Sequence, residues 1–305
     1  MSRLRADLLL VLVALIWGFA FVAQKDALAY IGPFTFVAAR FAISTIIVFP
    51  LAVRERRRAQ TRPVQLFTPA TTPELLLLCL AFFIAVTLQQ VGLVQTSVTN
   101  AGFLTGLYVV FVPVICWAVY RQKPPLLIFP AAALSVLGVW LLSGGGAQNH
   151  IQINRGDLLV LLCALAFAWQ ITLIGRIMRR SPAPFRLSCL QYGAVTLLAL
   201  VAALATEHPD LKSVLAASYP IIYAGVLSGG VAYTLQTVAQ QYTPSSNSAI
   251  IMSAEAVFAA FAGALLTSDH LSPAGWTGCG FILSAILLVE FGPRLAGRFT
   301  KMKNV

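Results

Sequence analysis

The stretch LQQVGLVQTSVTNAGFLTGLYVVF, residues 88–111, returns 147 positions later as LQTVAQQYTPSSNSAIIMSAEAVF, residues 235–258. The two stretches align without a gap: both begin with Leu-Gln, and Thr96 aligns with Thr243. Self-similarity of this kind is the mark of an internal repeat. The chain is therefore predicted to contain two copies of one helical unit.

The duplication extends toward the start of each copy. Two further pairs of segments match at shifts of 150 and 151 residues: Asp7–Leu9 with Asp157–Leu159, and Pro33-Phe34 with Pro184-Phe185. We therefore predict one repeat over residues 1–148 and a second over 149–305, which together form a single membrane domain.

Composition excludes a water-soluble protein, because 59% of the residues are hydrophobic and only 10% are charged. Ordinary globular domains carry about 25% charged residues. A helix that crosses a bilayer needs roughly 20 mostly apolar residues, and ten such spans are predicted: 8–24, 33–53, 74–94, 100–120, 126–143, 157–177, 185–206, 217–239, 247–267 and 273–291. Since each copy has five spans, the second copy must enter the membrane in the opposite orientation. The expected architecture is an all-α integral membrane protein with a 5+5 inverted-topology repeat.

The basic residues indicate the orientation of the chain. With the N-terminus in the cytoplasm, all but four of the 21 Lys and Arg residues fall on the cytoplasmic side; the exceptions are Lys25, Arg155, Lys212 and, within a span, Arg40. Cytoplasmic loops are enriched in Lys and Arg, so both termini are predicted to be cytoplasmic. The net charge of +11 is thus explained by topology, and nucleic acid is not expected as a partner.

Several short motifs occur in order along the chain: ALIWGFAFV at 14–22, NAGFLTGLYVVFVP at 100–113, Gly156-Asp157, Glu255–Phe258 and His270–Pro273. This set resembles the drug/metabolite transporter superfamily, in its EamA branch. The chain departs from the branch in three places: Arg121-Gln122 and Ser268-Asp269 stand where Gly-Glu is frequent, and Glu255-Ala256 where Glu-Pro is frequent.

The resemblance implies the basket-like fold of that superfamily, with ten helices, a central cavity between the halves and alternating access. It also implies a bacterial inner-membrane exporter of small metabolites, with aromatic or neutral amino acids as the expected substrates. A broad-specificity drug or nucleotide-sugar carrier of the same fold is the alternative. Membrane lipid surrounds such a protein, and a proton is a candidate coupling ion.

Two charged residues are predicted to lie deep in spans, where a charge is expensive and suggests function. Glu255 is the deep acid, expected to carry a proton or to contact a substrate ammonium group. Arg40 is the deep base, expected to bind a carboxylate or to act as a counter-ion. For both residues the alternative is a fixed polar contact that orders helix packing.

Neutral residues complete the predicted cavity. Gln89 and Gln236 occupy equivalent positions near the pseudo-two-fold axis, and Tyr233 shares a helix face with Gln236. Asn100 and Asn247 begin spans 4 and 9, either as helix N-caps or as helix starts that face the cavity. The aromatic candidates, which could instead be packing residues, are Trp17, Phe21, Phe103, Tyr108 and Trp169.

Other classes of protein lack support in the sequence. The three histidines (His150, His208 and His270) fall in predicted loops, and the five cysteines show no metal-ligand spacing. An intramembrane enzyme needs catalytic groups at depth, and a channel needs a ring of charges or a carbonyl filter. We therefore expect neither an enzyme nor a channel, and no metal or cofactor.

Overall fold

The computed structural model describes residues 1–59, 68, 71–142, 154–266 and 272–303. Within these ranges the protein is helical and contains no strand. The elements in chain order are α1 (Arg3–Ala27), α2 (Pro33–Ala59), α3 (Thr72–Gln95), α4 (Val98–Gly106), α5 (Tyr108–Ala118), α6 (Ile128–Leu142), α7 (Arg155–Arg180), α8 (Pro184–Thr206), α9 (Leu211–Ala216), α10 (Ser218–Tyr223), a π-helix (Ala224–Tyr233), α11 (Thr234–Ala239), α12 (Ser245–Met252), α13 (Glu255–Leu266) and α14 (Pro273–Lys303). Half of the stretch 54–73 between predicted spans 2 and 3 lies outside the described residues, as do His150, Ser268-Asp269 and His270.

Eight helical segments of the described chain are long and apolar enough to cross a bilayer. They coincide with predicted spans 1–4 and 6–9, while shorter apolar helices at Ile128–Leu141 and Pro273–Val289 lie at spans 5 and 10. Large side chains such as Ile46 and Val201 point outward, as expected where the surroundings are lipid rather than water. The all-helical membrane fold is confirmed, and the number of ten crossings stays a prediction.

Contacts between the helices follow a two-fold pattern. Helix α2 packs against α8, and α6 against α14; these are the equivalent helices of the two repeats. Helix α3 packs against α7 in the same way that α1 packs against the unit formed by α10, the π-helix and α11. Exchange of the two halves therefore leaves the pattern of contacts unchanged, as an internal repeat requires.

One hydrogen bond occurs twice at repeat-equivalent positions. Thr96 Oγ1 lies 2.5 Å from Asp157 Oδ1 at the start of α7, and Thr243 Oγ1 donates to Asp7 Oδ1 over 2.7 Å near the start of α1. Both threonines and both aspartates were matched by sequence alone. The same contact thus joins the first helix of each half to the third helix of the other half.

A second reciprocal contact joins α2 and α8. Glu207, just after α8, accepts from Phe34 N over 2.8 Å and from Thr35 N over 2.7 Å at the start of α2. Glu55, near the end of α2, accepts from Arg186 N over 2.9 Å at the start of α8. The first N–H groups of a helix have no partner within the helix, and a carboxylate there also meets the positive end of the helix dipole. Each of these helices therefore caps the other.

Arg121 shows the structural effect of one departure from the motifs. Its φ is 53°, in the left-handed region that glycine adopts without strain and other residues rarely do. Arg121 stands where the branch that the sequence resembles often has glycine, and this conformation is strained for a residue with a side chain.

Replacement of Glu207 by alanine should destabilise the protein by about 1–2 kcal/mol, because the first turn of α2 loses its capping carboxylate. Thermal unfolding of the purified protein in detergent would measure the loss. The control is Asp26→Ala, since Asp26 is exposed near the end of α1. Equal stability of Glu207→Ala and the parent protein would contradict the capping role.

Candidate functional site

Two of the spans are kinked halfway along their length, where backbone bonds of the 3₁₀ type join Val110 N to Leu107 O and Ala256 N to Ser253 O. The kink of the fourth lies at Leu107, between α4 and α5, and that of the ninth at Ser253-Ala254, between α12 and α13. The second half-helices begin with Tyr108 and Glu255, which lie 147 residues apart and are therefore repeat-equivalent. A short 3₁₀ stretch within a helix often marks a functional hinge. The two kinks place Tyr108 and Glu255 at the junction of the halves.

Tyr108 and Glu255 face each other at this junction, and both are almost fully buried. The Tyr108 hydroxyl interacts with the Glu255 carboxyl group, yet neither Tyr108 Oη nor Glu255 Oε1 has a partner at full hydrogen-bond geometry among the described residues. Glu255 occupies the first turn of α13, where the helix dipole favours a negative charge. A buried acid with a free oxygen can accept a proton or contact a cation.

A small buried cavity lies beside these two residues. It leaves about 20 Å³ for the centre of a water molecule, which is room for about one water. All of its lining residues are buried; they are Trp17, Phe21, Gln24, Gln89, Thr105, Tyr108, Phe167, Gln170, Ile171, Ser228, Tyr233, Gln236 and Glu255. A metabolite can occupy this cavity only if the surrounding helices move apart.

Aromatic rings form one wall of the cavity, with Tyr233 at their centre. The Tyr233 ring lies 4.6 Å from the ring of Trp17 and 4.8 Å from that of Phe82, measured between centroids. Phe167 stacks on Tyr233 at 6.5 Å. Contacts of this kind add to the stability that burial alone provides, so the wall is a packed surface able to receive an apolar or aromatic group.

The π-helix supplies Tyr233 and a backbone acceptor to the cavity. Trp17 Nε1 donates to Ser228 O over 3.3 Å, and the segment packs through Gly225 and Gly229 against α2. π-Helices are rare and often occur at functional sites. Here the wider turn brings Ser228 and Tyr233 to the same cavity.

Glutamine side chains form the polar wall. Gln89 Nε2 donates to Thr105 Oγ1 over 3.2 Å, while Gln236 Nε2 donates to Gln170 Oε1 over 3.4 Å. Gln170 in turn donates to Gln191 Oε1 over 3.5 Å. Gln236 Oε1 has no partner among the described residues. Amides can accept or donate toward a ligand without adding a net buried charge.

The structure brings seven of the twelve predicted site residues to the cavity: Trp17, Phe21, Gln89, Tyr108, Tyr233, Gln236 and Glu255. It places Arg40 one side chain away, hydrogen-bonded to the lining residue Gln24. Phe103 lies instead in an apolar groove between α4, α5 and α6, and Trp169 packs against Tyr120. Phe103 and Trp169 lie on helix faces that point away from the cavity. The spacing of residues along the sequence does not show which way a helix face points.

Asn100 and Asn247 correct the prediction for the helix starts. The N-cap of α4 is Ser97, whose Oγ accepts from Asn100 N over 3.1 Å, and the N-cap of α12 is Pro244. The capping prediction is therefore wrong for both asparagines, because the N-cap of each helix lies three residues earlier. Neither residue lines the cavity.

Six lining residues were missed from sequence: Gln24, Thr105, Phe167, Gln170, Ile171 and Ser228. Gln24 and Gln170 carried a usable signal, since each is a polar residue inside an apolar span. They were overlooked because they do not recur at the same position in both repeats.

Comparison with known proteins agrees with this architecture. The model of the EamA-like transporter family matches residues 4–144 and 154–291, which are the two halves. An uncharacterized transporter of Archaeoglobus fulgidus is 33% identical over 290 residues, covering 95% of this chain and 87% of that protein. The S-adenosylmethionine/S-adenosylhomocysteine transporter of Chlamydia trachomatis is 22% identical over 300 residues, covering 93% and 88%.

A crystal structure of another protein has the same fold. It aligns with a TM-score of 0.76 over 97% of this chain and 99% of its own length, at 15% sequence identity. At this identity the likeness concerns the arrangement of helices alone.

Gly18 permits the contact between α1 and α13 that closes one side of the cavity. A Cβ at Gly18 would lie 2.6 Å from Phe258 Cβ and 2.7 Å from Ala259 N. Gly18→Ala should therefore destabilise the protein by roughly 1–3 kcal/mol through overpacking, as thermal unfolding in detergent would measure.

The matched control is Gly193→Ala in α8, where an added Cβ meets nothing within 4 Å. This change should be neutral or stabilising by up to about 1 kcal/mol, because alanine is the better helix former. Equal effects of the two substitutions would contradict the close packing of α1 on α13.

Proposed function

We propose that this chain, which belongs to the EamA-like transporter family, carries amino acids out of the cell through the cavity between its halves. The family and the transporter relatives make it a multi-pass membrane protein that moves a small molecule. We propose further that the substrate is an aromatic or neutral amino acid and that it is exported by alternating access. We also propose that the protein lies in a bacterial inner membrane with both termini in the cytoplasm.

The main support comes from the small buried cavity at the junction of the two kinked spans. Its aromatic wall around Tyr233 suits an apolar or aromatic side chain. Its glutamines and the free oxygen of Glu255 suit the polar end of a zwitterion. Binding sites of inverted-repeat transporters lie at such junctions between the repeats.

Alternating access is supported by contacts at the two ends of the bundle. At the end that we assign to the cytoplasm, Glu74 accepts from Arg176 over 2.8 Å and from Arg180 over 3.1 Å, which joins α3 to α7. At the other end, Lys25 Nζ donates to Thr96 O over 3.1 Å, which joins α1 to α3. If the contacts at one end were released while those at the other end remained, the cavity would open to one side of the membrane at a time.

A larger metabolite with an amino-acid end is the second candidate. The relative from Chlamydia trachomatis is a transporter of S-adenosylmethionine and S-adenosylhomocysteine, and both molecules contain an α-amino-acid group. A cavity that recognises this group would serve either substrate. A broad-specificity drug or nucleotide-sugar carrier remains the further alternative.

Counterflow into proteoliposomes would decide among these candidates. Vesicles loaded in turn with phenylalanine, leucine, S-adenosylmethionine, a nucleotide sugar or a cationic drug would be tested for uptake of the corresponding labelled compound. We expect phenylalanine or leucine to exchange well above protein-free vesicles. Exchange of only the nucleotide sugar or the cationic drug would contradict the amino-acid proposal.

Glu255 is the proposed proton carrier, because it is the acid at the cavity and has a free oxygen. Glu255→Gln should abolish stimulation of export by a pH gradient while counterflow without a gradient continues, since the amide keeps the shape but cannot exchange a proton. Asp26→Asn, an exposed position, is the control and should retain the stimulation. Undiminished proton-dependent flux in Glu255→Gln would remove Glu255 from this role.

A further inference from the structure

Arg40 is a buried cation in α2 that lacks an acidic partner among the described residues. Its exposed fraction is 1%, and none of the salt bridges in the described ranges includes it. The guanidinium carbon lies 4.9 Å from the ring centre of Phe41 and 5.3 Å from that of Phe36. These cation–π contacts offset part of the desolvation, but a buried charge is well stabilised only beside an opposite charge.

The guanidinium group is connected to the cavity through Gln24. Arg40 Nη1 donates to Gln24 Oε1 over 2.9 Å, and Gln90 Nε2 donates to the backbone oxygen of Gln24 over 3.0 Å. Because Arg can only donate, the amide oxygen of Gln24 must face Arg40, and its NH₂ group is left to donate elsewhere. Two nitrogens of Arg40, Nε and Nη2, have no partner among the described residues.

The second repeat has a related contact without the charge. Arg40 lies 151 residues before Gln191, the shift that relates the starts of α2 and α8. Gln191 accepts from Gln170, another lining residue of the cavity. In each half, therefore, a side chain of the second helix forms a hydrogen bond with a glutamine of the first helix that lines the cavity. Only the first half supplies a positive charge at that place.

The positive charge and Glu255 lie at different depths in the bundle. Helices α1 and α12 begin at the same end, since Asp7 near the start of α1 binds Thr243 just before α12. Gln24 is seventeen residues beyond Asp7, and Glu255 is twelve beyond Thr243. At 1.5 Å per residue, Gln24 lies roughly 8 Å further along the bundle than Glu255.

We propose that Gln24 and Arg40 form a carboxylate subsite at one end of the central cavity, with Glu255 toward the other end. This inference rests on the proposed function and deepens it, because it requires that the transported molecule carry a carboxylate. A guanidinium group binds carboxylates through charge-assisted hydrogen bonds, for which Nε and Nη2 of Arg40 are available. The Gln24 amide supplies a neutral donor beside them.

The test compares two ligands that differ only in the carboxylate. Unlabelled phenylalanine and phenylalaninamide would compete with labelled phenylalanine for counterflow in proteoliposomes. The wild-type protein should prefer phenylalanine by about tenfold or more. In Arg40→Gln the apparent affinity for phenylalanine should fall about tenfold, with that for phenylalaninamide unchanged. Glutamine is a mild replacement, because the other repeat carries it at the equivalent position.

Three further variants separate recognition from folding. Arg40→Lys keeps the charge and should retain part of the preference for phenylalanine, whereas Gly193→Ala, in α8 where an added Cβ meets nothing within 4 Å, should retain all of it. Gln24→Leu should weaken phenylalanine more than phenylalaninamide, which tests the subsite even if Arg40→Gln does not fold. Thermal unfolding in detergent would report folding for every variant.

The outcomes distinguish the two proposals. Equal losses for both ligands in Arg40→Gln, or an undiminished preference for phenylalanine, would overturn the subsite while amino-acid transport stands. Equal competition by both ligands in the wild-type protein would also overturn the subsite and leave amino-acid transport standing. If wild-type vesicles exchange no amino acid at all, the proposed substrate and the subsite both fall.

Discussion

Within a bilayer every backbone N–H and C=O group must find its partner inside the protein, and the structure depends on this constraint. It is the reason why the described chain is helical and why its exposed surface is apolar. It also restricts where a helix can kink. The kinks at Leu107 and Ser253-Ala254 lie in the interior, and they place Tyr108 and Glu255 at the start of half-helices that meet at the cavity.

The same requirement explains the reciprocal contacts at the helix ends. Glu207, at the end of α8, accepts hydrogen bonds from the first turn of α2. Glu55, near the end of α2, does the same for the first turn of α8. The Asp7–Thr243 and Asp157–Thr96 bonds follow the same rule. Polar groups at the ends thus join the halves in a two-fold pattern. At the centre, Gln236 Oε1 and Glu255 Oε1 have no partner among the described residues, and such atoms suit a protein that opens around a ligand.

Departures from the two-fold pattern carry the chemistry of the site. Tyr108 and Glu255 are equivalent in position, yet only one is an acid; Arg40 and Gln191 are equivalent, yet only one is charged. Duplication explains why these positions face the cavity, and divergence explains why its two ends differ. Gln89 and Gln236 occupy matched positions in the two repeats, whereas Gln24 and Gln170 have no counterpart at the matched shift, so the repeat pattern predicts only the first pair.

The sequence by itself determined the membrane fold, the duplication and the position of the rare charged residues within spans, since hydrophobic length and charge placement are local properties of the chain. Only the tertiary structure decided which of those residues meet. Asn100 was assigned to the wrong place because the first turn of a helix depends on which nearby side chain caps it, here Ser97. Phe103 and Trp169 were misplaced because the direction of a helix face follows from how that helix packs. Contacts such as Arg40 with Gln24 join separate helices, so they exist only once those helices lie against each other.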